Sequence, residues 1–339
     1  MGNNYWMITT IAIAFIITAG SGVWLLPMLR KLKFGQTILE IGPRWHKDKQ
    51  GTPTMGGIMF ILGIVIAVVV GFILLRLDND AMQVPHLDRM TKSRLFYGLM
   101  LALAYGLIGF MDDYIKVVKK RNEGLSEGQK LLWQLVFGVC YLVLLYVSGD
   151  RSTLLVIPFL GTVDIGLLYY PFALFAMLGL SNAVNFTDGI DGLLSSVTFV
   201  AGLAYMIIAS FLAMWEMGVL AAAMVGGCLG FLVWNFHPAK VFMGDTGSLF
   251  LGGLIIALAF GTGLPLLVLF IGVIYVIEML SVVIQRVYFK ATHGKRIFKM
   301  SPIHHHFEMS GWSENKIVAV FSLITLLGSA VAVLALLRI

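Results

Sequence analysis

The sequence predicts an all-α polytopic membrane protein, with about ten transmembrane helices and both termini outside the cytoplasm. Three observations carry that reading. Of the 339 residues, 59% are hydrophobic and 12% charged, with a mean hydropathy of +0.90. A soluble domain covers its surface with about 25% charged residues, so lipid is the solvent for much of this chain. Apolar runs recur along the chain at the length a bilayer demands, about 20 residues. The Lys and Arg residues crowd into alternate connections, so the net charge of +6 matters less than its placement.

The candidate spans lie near 5–29, 56–75, 95–111, 131–148, 167–185, 193–213, 217–236, 247–262, 264–286 and 315–338. The first is too long for a signal-peptide core and has no basic flank ahead of it, so it is retained as a span. The third and eighth are short, and only Gly263-Leu264-Pro265 separates the eighth from the ninth. The odd-numbered connections hold most of the 24 Lys and Arg, including Lys116 through Arg121 and Lys316. Positive charge marks the cytoplasmic side, so these loops face inward. The second connection (76–94) runs against the rule with Arg76, Arg89, Lys92 and Arg94; its Asp78, Asp80 and Asp88 count little toward orientation. Residues 153–166 read as two short strands about a turn, a small periplasmic hairpin resting on the membrane. Cys140 and Cys228 each lie in an apolar run and read as small buried side chains, not a disulfide or zinc site. The whole chain, 1–339, reads as a single integral membrane domain.

On this topology the unusual polar residues gather on one side. Asp112 and Asp113 end span three; Asn182, Asn185, Asp188 and Asp191 run off span five toward span six. Asn235, His237 and Asp245 join spans seven and eight; Gln285, His304, His305 and His306 belong to the last inward loop, Lys49 and Thr54 to the first. Each has an ordinary reading beside a functional one. Asp112 pairs with Lys116 at i,i+4, which leaves Asp113; at the negative end of a helix two acids call for a cation. Asp191 and Asp245 suit helix N-caps, and a cap can also be a ligand. Asn182, Asn185 and Asp188, three apart, stay on neighbouring helix faces, and amides are unfavourable in hydrocarbon unless paired. The adjacent histidines lack the i,i+4 spacing of a helical zinc pair and suit phosphate contact beside Lys295, Arg296 and Lys299. Glu278, inside span nine, must face another helix or a cavity; it carries no assigned role.

This inventory suits phosphoryl transfer. Carboxylates hold Mg²⁺ together with substrate phosphates, and Lys and His neutralise the remaining phosphate charge. The glycine-rich turns Thr52–Gly57 and Gly244–Ser248 offer backbone amides to an anion. Neither has the spacing of a P-loop. A transporter would place its ionisable groups near the bilayer midplane, and no internal repeat supports that architecture. A membrane scaffold needs no carboxylate set.

The strings KDKQGTPTMGG (47–57), GFMDDYIK (109–116), NAVNFTDGIDGL (182–193), NFHPAKVFMGDTGSL (235–249) and SPIHHHFE (301–308) span essentially the whole chain. Together they resemble the bacterial phospho-N-acetylmuramoyl-pentapeptide transferases. The double Asp and NFTDGIDGL are shared with the wider superfamily of polyprenyl-phosphate N-acetylhexosamine-1-phosphate transferases; GTPTMGG and PIHHHFE point to the muramoyl branch. The resemblance implies transfer of phospho-MurNAc-pentapeptide from UDP-MurNAc-pentapeptide to undecaprenyl phosphate with Mg²⁺, giving lipid I and UMP. This is the first membrane step of peptidoglycan synthesis. It further implies a bent ninth span, a homodimer among membrane lipids of the bacterial inner membrane, and an active site facing the cytoplasm, with no nucleic-acid partner. By the same resemblance Asp245 is the magnesium ligand, and Asp112 and Asp113 are the essential central pair; because a phosphate monoester with a second pKa near ~6 is already an adequate nucleophile, Asp112 reads as an orienter or base. His304 and His305 lie near the pyrophosphate. Asn182 or Asn185, with Asp188 and Asp191, lines the groove, Asp191 near the nucleoside. Lys49, Thr54, Asn235, Phe242 and Gln285 serve the nucleotide, and Lys130 contacts phosphate. A covalent aspartyl-phosphate route stands as the alternative mechanism, and a GlcNAc-1-phosphate transferase as the alternative activity.

Overall fold

The computed structural model describes residues 5–31, 49–77, 89–118 and 123–338. Lys47, Asp78, Asp80, Asp88 and the basic run Lys119, Lys120 and Arg121 lie outside the described residues, so that part of the loop-charge argument stands on sequence alone.

The helices are α1 (Tyr5–Lys31), α2 (Gly57–Leu77), α3 (Arg89–Val118), α4 (Glu127–Val147), α5 (Tyr169–Thr187), α6 (Leu193–Phe211), α7 (Trp215–Asn235), α8 (Gly244–Gly261), the short α9 (Val268–Ile271), α10 (Val273–Ala291), the short α11 (Ile303–Glu308) and α12 (Glu314–Leu336). Among the described residues nine helices are long and apolar enough to cross a membrane. The segment Pro265–Ile271 with α10 makes a tenth span if counted as one, bent by 84°. The chain is therefore a multi-pass membrane protein. The expected ninth span is this broken element, and the break falls at Gly272. Beyond it α10 is amphipathic in reverse. Glu278, Ser281 and Gln285 are buried along one stripe, while Leu280, Val283, Ile284 and Val287 are exposed; the polar stripe faces protein and the apolar face is left to lipid.

Helices α7 and α8 are apolar all round and buried by the others, as such helices must be. With lipid outside, helix association rests on close packing of small residues. The pair α3 and α8 shows this: a Cβ on Gly253 would stand 2.5 Å from Ala102 Cα, and one on Gly109 would run into the carbonyl of Asp245. Two boundaries differ from the sequence reading. Helix α3 continues past Asp112 and Asp113 to Val118, so the acids are not at a helix end and the dipole argument for a cation there lapses. Helix α8 begins at Gly244, which brings Asp245 into its first turn.

The expected hairpin is present. Strands β1 (Leu154–Ile157) and β2 (Gly161–Asp164) pair antiparallel, Leu154 opposite Asp164. Asp164 accepts from Thr153 Oγ1 at 2.6 Å and from the Gly166 amide at 2.9 Å, which holds its carboxyl below the usual range. Arg94, one of the cations that ran against the loop rule, is fixed near this end of the bundle by Asp150 at 2.7 Å and the Gly261 carbonyl at 3.1 Å. It has a structural occupation.

Candidate active site

At the opposite end of the helices, three groups of polar residues converge. The first forms where α3, α4, α5 and α8 meet. The Asp112 carboxylate is fully buried and stands 2.6 Å from Lys116 and 3.0 Å from Lys130. Both ammonium groups also reach Asp245, Lys130 at 2.6 Å and Lys116 at 3.4 Å. Asp112 further accepts the Leu125 amide at 2.7 Å, and a Cβ on Gly124 would strike its side chain, so the loop into α4 is folded directly onto it. A capping box between Ser126 and Gln129 starts α4 beside this loop and so aims Lys130 inward. Asn185 donates to Asp245 at 3.1 Å and to Ser248 Oγ at 2.8 Å.

Asp113 has a different occupation from its neighbour. It accepts from the Thr246 amide at 2.9 Å, from Thr246 Oγ1 at 2.7 Å and from the Asp245 amide at 3.2 Å. These are orphan donors of the first turn of α8, where a negative charge is favoured. The expectation that Asp245 caps α8 is corrected: Met243 occupies the cap position without a side-chain bond, and the carboxylate cap comes from α3. Asp245 is left free to turn toward the two lysines. Asp191 likewise does not cap α6, whose cap position is Gly192 with no side-chain bond.

Neither glycine-rich turn keeps its amides for an anion: those of Asp245 and Thr246 go to Asp113, and the first turn pairs with the residues just ahead of the second. The Gly56 and Gly57 amides donate to the carbonyls of Phe242 and Met243 at 2.8 and 3.0 Å, and the Phe242 amide donates to Pro53 at 2.8 Å. This pairing sets Thr54 at the first group. Gly244 has φ +70°, and a Cβ there would meet Asp113 Oδ2 at 2.5 Å and Thr54 Oγ1 at 2.7 Å. Only glycine fits at that corner.

The second group is built on the loop after α5. Buried Asp191 accepts from Lys49 at 2.7 Å and from the Ala239 amide at 3.0 Å, with His237 Nδ1 at 2.9 Å. Glu314, in the first turn of α12, also holds Lys49 at 2.7 Å and accepts the Asp191 amide at 2.9 Å. Asn235 steadies the same corner by accepting the Gly192 amide at 3.1 Å and donating to the Val241 carbonyl at 3.0 Å. Glu314 was not singled out from the sequence. After Ser313 it reads as an ordinary acidic residue at a helix start, which it also is. Asp188, at the end of α5, feels the carboxylates of both groups. Burial, then Asp245, Asp113 and Asp191, push its carboxyl up to about 8.

The third group joins α10 to α11. His304 Nδ1 lies 3.0 Å from Glu278, and both side chains are fully buried. His305 Nδ1 lies 2.6 Å from Glu308, and His306 Nδ1 accepts the Lys299 amide at 3.1 Å. Gln285 receives the amides of Ile297 and Phe298 at 3.1 and 3.0 Å and donates to the Phe298 carbonyl at 2.9 Å, so it clasps the loop between α10 and α11. Beside it a cavity of about 280 Å³ is lined by Arg286, Lys290 and Arg296 with Phe289 and Met300. Asn182 is not brought to any of the three groups. It donates to Gln134 at 3.0 Å and to the Leu178 carbonyl at 2.8 Å, within the helix bundle.

Carboxylate oxygens of Asp112, Asp113 and Asp245 lie within 4.8 Å of one another, as do ligand atoms of Asp191, His237 and Glu314. The first set is oxygen only, the donor set of a hard cation. The arrangement therefore offers a cation position, two ammonium groups and a basic cavity along one end of the bundle, which suits a doubly or triply anionic substrate.

The comparisons agree with this chemistry. Residues 95–263 match the glycosyl transferase family 4 model, and residues 49–61 match signature 1 of the phospho-N-acetylmuramoyl-pentapeptide-transferases. The chain is 48% identical to the phospho-N-acetylmuramoyl-pentapeptide-transferase of Desulforamulus reducens over 95% of this chain and 93% of the relative. It is 45% identical to that of Listeria monocytogenes, covering 97% of this chain and 98% of the relative. With that of Acetivibrio thermocellus it shares 46% identity over 93% of this chain and 91% of the relative. The chain belongs to the phospho-N-acetylmuramoyl-pentapeptide-transferase family.

Proposed function

We propose that this transferase moves phospho-MurNAc-pentapeptide from UDP-MurNAc-pentapeptide to undecaprenyl phosphate, giving lipid I and UMP, at the cytoplasmic face of the inner membrane. The observation that carries it is the Asp112–Lys116–Lys130–Asp245 group at the helix ends. A water-soluble nucleotide sugar and a lipid phosphate meet only at such an interface. Charge placement supports the cytoplasmic side, with Lys49, Lys116, Lys130, Arg286, Lys290, Arg296 and Lys299 all at this end. A homodimer in the membrane belongs to the same reading.

The residues fit Mg²⁺. Asp245 carries the carboxylate turned to the two lysines, Asp112 stands beside it, and Mg²⁺ binds through one or two carboxylates plus substrate phosphates. Asp113 is committed to α8 and supports the site by position. Bound there, the ion would polarise the phosphoryl oxygens and neutralise developing charge. In the transfer itself, an oxygen of undecaprenyl phosphate attacks the β-phosphorus of the donor. That bond forms as the bond to the bridging oxygen breaks, and UMP leaves with the bridging oxygen. A phosphate monoester has a second pKa near ~6, so the acceptor is already largely dianionic at neutral pH and needs no strong base. Lys116 and Lys130 hold the phosphates in line and take up charge, which is most of what such a transfer requires. Asp112 orients these ammonium groups. Its burial between two cations supports that role over a covalent nucleophile.

Lys49, Asp191, Asn235 and Phe242 serve the nucleoside end, and His305 and the basic cavity serve the anionic remainder of the donor. The test measures UMP release with undecaprenyl phosphate and either UDP-MurNAc-pentapeptide or UDP-GlcNAc, with Mg²⁺ or with EDTA. Product from the muramoyl donor alone, lost in EDTA and restored by Mg²⁺, is expected. Product from UDP-GlcNAc alone would overturn the substrate assignment. Trapping a phosphorylated protein with donor alone would overturn the one-step mechanism.

A further inference from the structure

Glu278 sits inside a membrane-crossing element, where a carboxylate is costly and is retained when it does something. Among the described residues its carboxylate meets one polar partner, His304 Nδ1 at 3.0 Å, and neither side chain has any exposed surface. The remaining atoms of the pair, Glu278 Oε2 and His304 Nε2, are buried without a hydrogen-bond partner among the described residues. Such groups call for an explanation in a native structure. The face of His304 that carries Nε2 is packed against Gly189, where a Cβ would run into Nε2 and Cε1. Gly189 lies between Asp188 and Asp191. The ring therefore abuts the loop that links the reaction group to the Lys49 group.

Resting on the transferase reading above, we propose that Glu278 is a positioning residue for the reaction: it fixes the His304 ring so that the ring sets the height of the Asp188–Asp191 loop. His304 then acts through this loop and does not itself touch the donor, since its Nε2 is sealed by Gly189. A carboxylate on Nδ1 fixes both the tautomer and the orientation of an imidazole. With the ring fixed, the loop cannot sink toward α11. Asp191 keeps its bond to Lys49 and Asp188 keeps its distance from Asp245. His305 and Glu308 repeat the motif alongside, with the two histidine rings 4.1 Å apart. The paired device spans the short helix α11.

The experiment uses the full-length protein in lipid and measures lipid I formation with both substrates varied. Glu278→Leu removes the acceptor and leaves His304 Nδ1 buried without its partner, a change that itself costs stability, so the melting temperature is followed beside the kinetics. A folding defect removes active molecules and lowers kcat while leaving both KM values alone; a displaced loop changes the donor KM. The expected result for Glu278→Leu is a donor KM raised by about tenfold or more, with the undecaprenyl phosphate KM unchanged. Glu278→Gln, whose carbonyl still accepts from Nδ1, is expected within about threefold of wild type. Gly189→Ala pushes a methyl into His304 from the other side and is expected to raise the donor KM likewise. A wild type without product overturns the transferase reading and this one with it. An active wild type whose Glu278→Leu variant keeps its donor KM overturns the Glu278 role alone. If that variant fails to fold, an unchanged donor KM in Gly189→Ala overturns it.

Discussion

Two acidic groups at the same end of the bundle both bring ligand atoms within 4.8 Å of one another, yet they are built for different work. The Asp112–Asp245 group hangs on spanning helices, and two lysines are shared between its carboxylates. The Asp191–Glu314 group hangs on loops and a helix start, with one lysine between two carboxylates and further bonds to backbone amides. The first concentrates charge, which under the proposed function is exchanged against phosphate. The second arranges directional hydrogen bonds, which under the same proposal serve the nucleoside. Similar residue types thus take different arrangements according to what holds them.

The largest test of this division is Asp245→Ala. It should reduce UMP release by about 1000-fold or more, with the folded protein retained by melting temperature. Activity within tenfold of wild type would remove Asp245 from the reaction group. Asp113→Ala comes next and should separate support from chemistry. Loss of the cap on α8 should cost about 1–2 kcal/mol of stability, seen as a lower melting temperature, and should reduce kcat through displacement of Asp245. An Asp113→Ala protein as stable as wild type would contradict the capping role. Glu314→Gln probes the other group, where about a tenfold rise in donor KM with kcat held within a few-fold is expected. A fall in kcat at constant KM would place Glu314 with the chemistry instead.

The smallest expected effect concerns pH. In the metal-free folded protein Asp188 keeps its proton to about 8, whereas an unfolded Asp titrates near ~3.9. Folding therefore raises this carboxyl's pKa, and its contribution to the folded state weakens as pH rises through that window. In EDTA, stability should fall between pH 6 and 8 by at most about 1.4 kcal/mol per pH unit from this group. Asp188→Asn should flatten that slope. An identical slope in wild type and variant would assign the pH dependence elsewhere.

Much of this was legible in the sequence, and the reasons for the exceptions are physical. Apolar run length sufficed for the spans and, with loop charge, for the gathering of Asp112 and Asp245 at one end; Lys130 and the bend in the ninth span came from the family resemblance. The hairpin followed from its strand and turn residues. Hydrogen-bond partners between distant segments were not legible. The i,i+4 spacing foretold that Asp112 turns to Lys116, and it does, but nothing local says that Asp113 caps a helix more than a hundred positions away. The glycine-rich turns looked like anion cradles because their amides are unpaired within each turn. The first is satisfied by the carbonyls of Phe242 and Met243 and the second by the Asp113 carboxylate, across the fold. Gln285 and Asn182 were selected as polar residues in apolar surroundings, and both prove to be occupied, one with a loop and one with Gln134. Glu314 escaped notice because a helix start is where an acid is ordinary.

The Asp113 cap has a mechanical consequence. It pins the first turn of α8 to α3 at the very point where Asp245 leaves the backbone, and the glycine contacts at 109 and 253 lock the same two helices along their length. The two helices are thus a single strut with the Asp245 carboxylate fixed at its tip. Under the proposed function this strut is the anvil against which the nucleotide sugar is held.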